Sequence, residues 1–181
     1  MSYSTIKVIQ SNGDVVSDID LGNSHGVGSC VWDSLLRKYR SLVFPKESLL
    51  NPSVRPSLFE WDDLWKWVND NPTKVRWWEH NTLNWTYDRA LTKREDVGIL
   101  AESLRRFEDA LVLPDRVCHL RVIADRMDEL LTDESIRGFG IRVTSLSGYD
   151  LSPISVDENE YERPYNIDQD SKHWWVEIQR P

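Results

Sequence analysis

The chain lacks a long apolar run. No stretch approaches the roughly 20 residues that a membrane-spanning helix needs. Its start, Met1 to Gln10, has no basic segment ahead of an apolar core, so no secretory signal is expected. Basic charge is also in deficit. There are 22 Lys and Arg against 30 Asp and Glu, for a net charge of −8. This excludes sequence-independent duplex binding driven by global charge, because phosphate neutralisation needs a basic surface. Cysteine is scarce, with 2 in 181 residues, and Cys30 and Cys118 lie far apart, so no disulfide framework is expected. That makes a reducing cytoplasm the default compartment. The 4 histidines, His25, His80, His119 and His173, are dispersed. No His-Glu-x-x-His or Cys-x-x-Cys spacing occurs, so neither a metal site nor a cofactor is expected.

Tryptophan is what the chain has in abundance. There are 9, and six of them lie between Trp61 and Trp85. With 40% hydrophobic and 29% charged residues, the chain can bury a core, and its length fits one domain over 1–181.

Residues 5 to 10 read as a strand. Asn12-Gly13 reads as a two-residue hairpin turn, and Val15 to Leu21 as the return strand with Val15, Ile19 and Leu21 on one face. After a small-residue loop from Gly22, Ser29 caps a helix with the apolar stripe Val31, Leu35, Tyr39 and Leu42. Ser57 and Glu60 have capping-box spacing ahead of Trp61, Leu64, Trp65 and Val68. Residues 73 to 91 fit neither period and read as a strand or packed loop. Thr92 and Glu95 form a second capping box before Val97, Leu100, Leu104, Phe107 and Leu111. Pro114-Asp115 opens a partner helix carrying Val117, Leu120, Ala124, Met127 and Leu131, joined by a very short turn to make an antiparallel hairpin. Ile141 and Val143 alternate as a strand, Asp150 to Asp170 reads as a long solvated acidic loop, and His173 to Gln179 reads as the last strand. The expected fold is α+β, with a small, mostly antiparallel sheet drawing strands from both chain ends and about four helices covering one face.

Several constellations are candidates for function. Gly26, Gly28 and Ser29 precede a helix N-terminus, where free N–H groups favour an anion, and Arg76 and Arg89 would complete a nucleotide site. Cys30 at that helix start, or Cys118 near another, is a candidate nucleophile with His173 as base. Trp67, Trp77, Trp78, Trp85 and Trp175 are candidate exposed aromatics. From Lys74 to Arg94 five basic residues stand against two acidic ones, a mixture that suits an interface hot spot or a stacked base. Asp157, Glu158 and Glu160 belong to a stretch with seven acidic residues and one Arg163, fit to steer association with a basic partner.

Gly138-Phe139-Gly140-Ile141-Arg142-Val143 with Ser147-Gly148-Tyr149, followed by His173-Trp174-Trp175-Val176-Glu177-Ile178, resembles the second half of transglutaminase-like cysteine enzymes. The resemblance implies Cys118 as nucleophile and His173 as base; the orienting Asp of that family has no counterpart after His173. The opening hairpin, Leu21-Gly22-Asn23-Ser24-His25-Gly26, Val31-Trp32 and the terminal His173-Trp174-Trp175 resemble small bacteriophage-encoded accessory proteins. That resemblance implies a counter-defence or inhibitory role exerted by stoichiometric binding. The leading expectation is therefore a non-enzymatic acidic binding protein of the host cytoplasm. Its partner would be another protein, one that handles nucleic acid or serves defence. The alternatives are a thiol-dependent hydrolase or acyltransferase and a nucleotide or second-messenger binder.

Overall fold

A computed structural model describes residues 3–11, 15–23, 27–45, 58–86, 90–111, 118–144, 154–156, 162–164 and 176–181. The N-terminal segment forms the expected hairpin, β1 (Tyr3–Gln10) with β2 (Val15–Asn23). The pairing carries a bulge: Lys7 stands opposite Ser17 but Ile6 stands opposite Ile19. The extra residue shifts the alternation by one. Positions 16 and 19, not 15 and 19, therefore face buried Val8 and Ile6 across the ladder. The Asn12-Gly13 turn lies outside the described residues.

β1 also pairs antiparallel with β4 (Ile136–Thr144), and β4 with the short β3 (Leu91–Lys93), giving the order β2-β1-β4-β3. The sheet thus joins the N-terminal hairpin to a strand from the C-terminal half, as an α+β fold. β3 can come this close because Gly140 faces Leu91. A Cβ there would lie 2.2 Å from Leu91 Cδ2 and 2.9 Å from the Ala90 carbonyl oxygen. Thr92 is spent in this strand, fully buried with its hydroxyl unpartnered, so it caps nothing. The helix behind it starts at Arg94, with Lys93 at the cap position and no side-chain cap.

The described residues also form five α-helices, α1 (Gly28–Val43), α2 (Leu58–Asp70), α3 (Trp77–Trp85), α4 (Arg94–Asp109) and α5 (Leu120–Leu130), and a single 3-10 turn at Pro72–Lys74. α1 begins at Gly28 without a side-chain cap, so Ser29 lies inside the helix; buried Val27 sets its start by accepting the Val31 N–H. Val31, Leu35 and Tyr39 turn inward as the period predicts, while Leu42 is 53% exposed. Ser57 lies outside the described residues. α4 and α5 pack antiparallel: Arg105 reaches Asp125 and Asp128, and Arg121 reaches back to Asp109. Their connection is longer than a tight turn. His119 adopts a left-handed backbone (φ 55°), which a right-handed helix does not continue through, and α5 starts after it at Leu120; Pro114 and Asp115 lie outside the described residues. Val117 lies outside the described residues.

Ile6, Val8, Phe139 and Ile141 of the sheet share one hydrophobic cluster with the inward stripes of α1, α2, α4 and α5. Each such fully buried side chain contributes about 1.5–3 kcal/mol. Within the acidic stretch, β5 (Ile154–Val156) and β6 (Glu162–Pro164) form a two-stranded sheet, so that part is not all loop; β-branched Ile154 and Val156 suit the pleat. Residues 176–181 form no regular strand. Among the described residues, no helix is long and apolar enough to cross a membrane.

Candidate functional site

Residues 73 to 91 hold the main departure from the periodicity. They contain α3, a helix with no apolar stripe because it is enclosed on most sides. Glu79 to Trp85 are all buried. Residue 76 is extended, and its N–H donates to the Glu79 carboxylate at 3.1 Å, which starts the helix. Polar side chains on α3 then bond sideways to each neighbouring element. Glu79 accepts from the Lys38 ammonium and from the Tyr39 hydroxyl (2.5 Å) on α1. Burial, and next the Glu79 carboxylate, push the Tyr39 phenol well above its usual range. Asn84 meets Asn69 of α2 at 3.1 Å, and Asn81 donates to Ser103 of α4 at 3.1 Å. Trp32 Nε1 of α1 donates to Thr86 Oγ1 at 3.0 Å.

Asn81 does one thing more. Its Nδ2 donates to the Gln179 carbonyl and its Oδ1 accepts the Gln179 N–H, both at 2.9 Å. One side-chain amide thereby replaces a neighbouring strand for the terminal segment. Val176 N–H donates to the Leu91 carbonyl at the β3 edge, and Arg180 pairs with Asp96. Residues 176–179 of the expected last strand are thus tied down by an edge contact and a side-chain amide, and they form no regular strand. His80, next to Asn81 on α3, is buried, with Nδ1 unpartnered. Burial lowers its pKa below the ordinary value, opposed by Asn81 and by the Glu177 carboxylate.

The tryptophans divide. Trp32 and Trp85 are core residues, Trp85 at 0% exposure. Trp85 therefore offers no ring to a partner, which corrects its place among the exposed aromatics. Trp61, Trp65, Trp67, Trp77 and Trp78 are half-buried. Trp61 packs on Trp32 (6.1 Å between ring centroids), and Trp67 packs on Tyr39 (5.5 Å). Trp77 and Trp78 meet edge to face at 5.7 Å and 90°. Two guanidinium groups flank that pair: Arg76 lies 4.9 Å from the Trp78 centroid, and Arg106 lies 5.3 Å from Trp77 and 5.6 Å from Trp78. Both arginines are exposed. Such contacts contribute about 0.5–1 kcal/mol at exposed positions. The sequence drew attention to Trp77, Trp78 and Arg76 but missed Arg106, whose i to i+4 spacing from Glu102 reads as an ordinary helix-surface ion pair. Trp175 lies outside the described residues.

The cysteines depart from expectation. Cys30 and Cys118 form a disulfide across 88 positions, with Cα atoms 6.1 Å apart and both residues at 0% exposure. No free cysteine remains among the described residues. The tertiary fold sets Cys118, two residues ahead of α5, beside Cys30 in the first turn of α1, which their distance along the chain did not indicate. Neither carries a free thiol in this state. His173, the candidate base, lies outside the described residues. His119, beside Cys118, is exposed.

The residues considered for an anion site do not converge. Gly28 and Ser29 open α1, whereas Arg76 adjoins Glu79, which is bonded to residues 38 and 39 of that helix. At 1.5 Å per residue the two places are about 15 Å apart along α1. Gly26 and Arg89 lie outside the described residues, as do Asp157, Glu158 and Glu160. Among the described residues, no group of 3 or more His, Cys, Asp and Glu side chains is placed to hold a metal ion.

The best-formed exposed feature is thus the Arg76–Trp78–Trp77–Arg106 face, where the start of α3 meets the later turns of α4. No protein-family model, curated protein or solved structure matches the chain.

Proposed function

We propose that this chain is a non-enzymatic acidic binding protein that acts by protein–protein contact, as a phage-encoded inhibitor or counter-defence factor. One observation carries the reading: an edge-to-face indole pair, half-buried and held between two exposed guanidinium groups. Trp and Arg dominate interface hot spots, because rigid aromatic area and a planar donor fork bind with little loss of side-chain freedom. The absence of a free thiol among the described residues favours this reading over a thiol-dependent hydrolase, which would first need the Cys30–Cys118 bridge reduced.

In this reading the partner is a nucleic-acid-handling or defence protein, and Asp157, Glu158 and Glu160 steer the approach. The site of action is the host cytoplasm. The bridge would persist there because exchange requires a thiolate to reach a sulfur, and both residues are sealed from solvent. The test is quantitative recovery of bound proteins from a bacterial host by tagged wild-type chain and by Trp77→Ala. A hot-spot indole predicts about thirtyfold weaker retention of the specific partner. Equal recovery by both forms, or no partner for either, refutes the reading.

A further inference from the structure

The geometry points to a carboxylate-rich protein segment as the occupant of the Arg76–Trp78–Trp77–Arg106 face; this rests on the contact reading above and adds the partner's chemistry. The two arginines are not equivalent. Arg106 Nε is bonded to Glu102 at 2.6 Å. Arg76 is exposed, its guanidinium lies over an indole, and no carboxylate among the described residues pairs with it. Its own N–H is anchored to Glu79, so the residue is held at its base, and its guanidinium lies 4.9 Å from the Trp78 ring centroid on an exposed residue. The Glu79 carboxylate is already occupied by Lys38, Tyr39 and that N–H, and it is buried. Lys74, two residues earlier, is exposed, and among the described residues its ammonium bonds the neutral Asn71 amide. The face therefore holds surplus positive charge in a chain whose net charge is −8.

A planar guanidinium with a free fork suits a bidentate carboxylate, and the adjoining rings suit an apolar side chain from the same segment. A nucleic acid fits less well. Polyphosphate needs several aligned cations, whereas this face offers Arg76 and, nearby in sequence, Lys74. The rings also stand at 90° to each other, so successive bases find no continuous platform. A short acidic segment needs only one or two cations beside an apolar anchor.

The test is fluorescence anisotropy of a fluorescein-labelled short acidic peptide with a central leucine, titrated with the full chain at low salt. Wild-type binding should weaken as salt rises. Arg76→Gln should weaken it roughly tenfold, since a hydrogen bond to a charged group is lost. Arg106→Gln should have a smaller effect, and Arg126→Gln on α5, where the guanidinium is bonded to Glu129, should have none. Arg76 is exposed and gives up its contact with the Trp78 ring, so the variant should melt within about 4 °C of the wild type, which a circular dichroism scan checks. Unchanged peptide binding by Arg76→Gln overturns the inference, as does tighter binding of oligothymidylate of equal charge. If the peptide fails while Trp77→Ala still loses the natural partner, this inference falls and the contact reading stands; if neither effect appears, both fall.

Discussion

Replacing both Cys30 and Cys118 with alanine opens a loop of 88 residues, and the cost follows from chain entropy. For a loop of that length the cross-link restricts the unfolded ensemble by about 4.6 kcal/mol at 25 °C. Both residues are fully buried, so two buried sulfur atoms are lost as well, which adds to the cost without changing its sign. For a chain of this size the loss corresponds to a melting temperature lower by roughly 10–15 °C. Urea unfolding followed by circular dichroism measures it directly. The midpoint should fall, and the slope should rise, because the unlinked chain exposes more surface when unfolded. Wild-type protein unfolded with a phosphine reductant should track the double variant. The simplest check is a thiol count in denaturant without reductant: the bridge predicts none. Two titratable thiols per chain would mean that no bridge closes the loop, and a double variant as stable as the wild type would mean that the bridge does not stabilise the fold.

Two other perturbations probe the buried polar helix. The pKa of His80 is lowered in the folded state, so below its ordinary value of 6.5 the unfolded chain binds more protons. Stability is therefore full above that pH and declines as pH falls through it, and His80→Asn should flatten this slope in urea midpoints measured from pH 7.5 to about 5. Glu79→Ala leaves Lys38, the Tyr39 hydroxyl and the Arg76 N–H without their common acceptor, and should cost about 2–4 kcal/mol by the same assay. A loss below about half a kcal/mol would show that water replaces the carboxylate freely.

Much of the framework was legible because it is local. The apolar stripes of α1, α2, α4 and α5 repeat at the helical period, and the hairpin carries its own turn signal. α3 was not legible. A helix enclosed on most sides has no polar face, and one built from Glu79, His80, Asn81, Thr82 and Asn84 has no apolar face to mark it either. Thr92 and Glu95 have true capping spacing, yet pairing of β3 with β4 claims Thr92 for a strand. Of the candidate face, Trp77, Trp78 and Arg76 stood out by composition, whereas Arg106 joins them only through the docking of α4 on α3.

The α+β class, the antiparallel hairpin and the faces that four of the helices bury follow from residue order alone, because periodicity is a property of neighbours along the chain. The tertiary structure alone decided that Cys30 meets Cys118, that Asn81 holds the terminal segment, and which indoles stay partly open. Each of these is a meeting of residues far apart in sequence, and no local spacing encodes it.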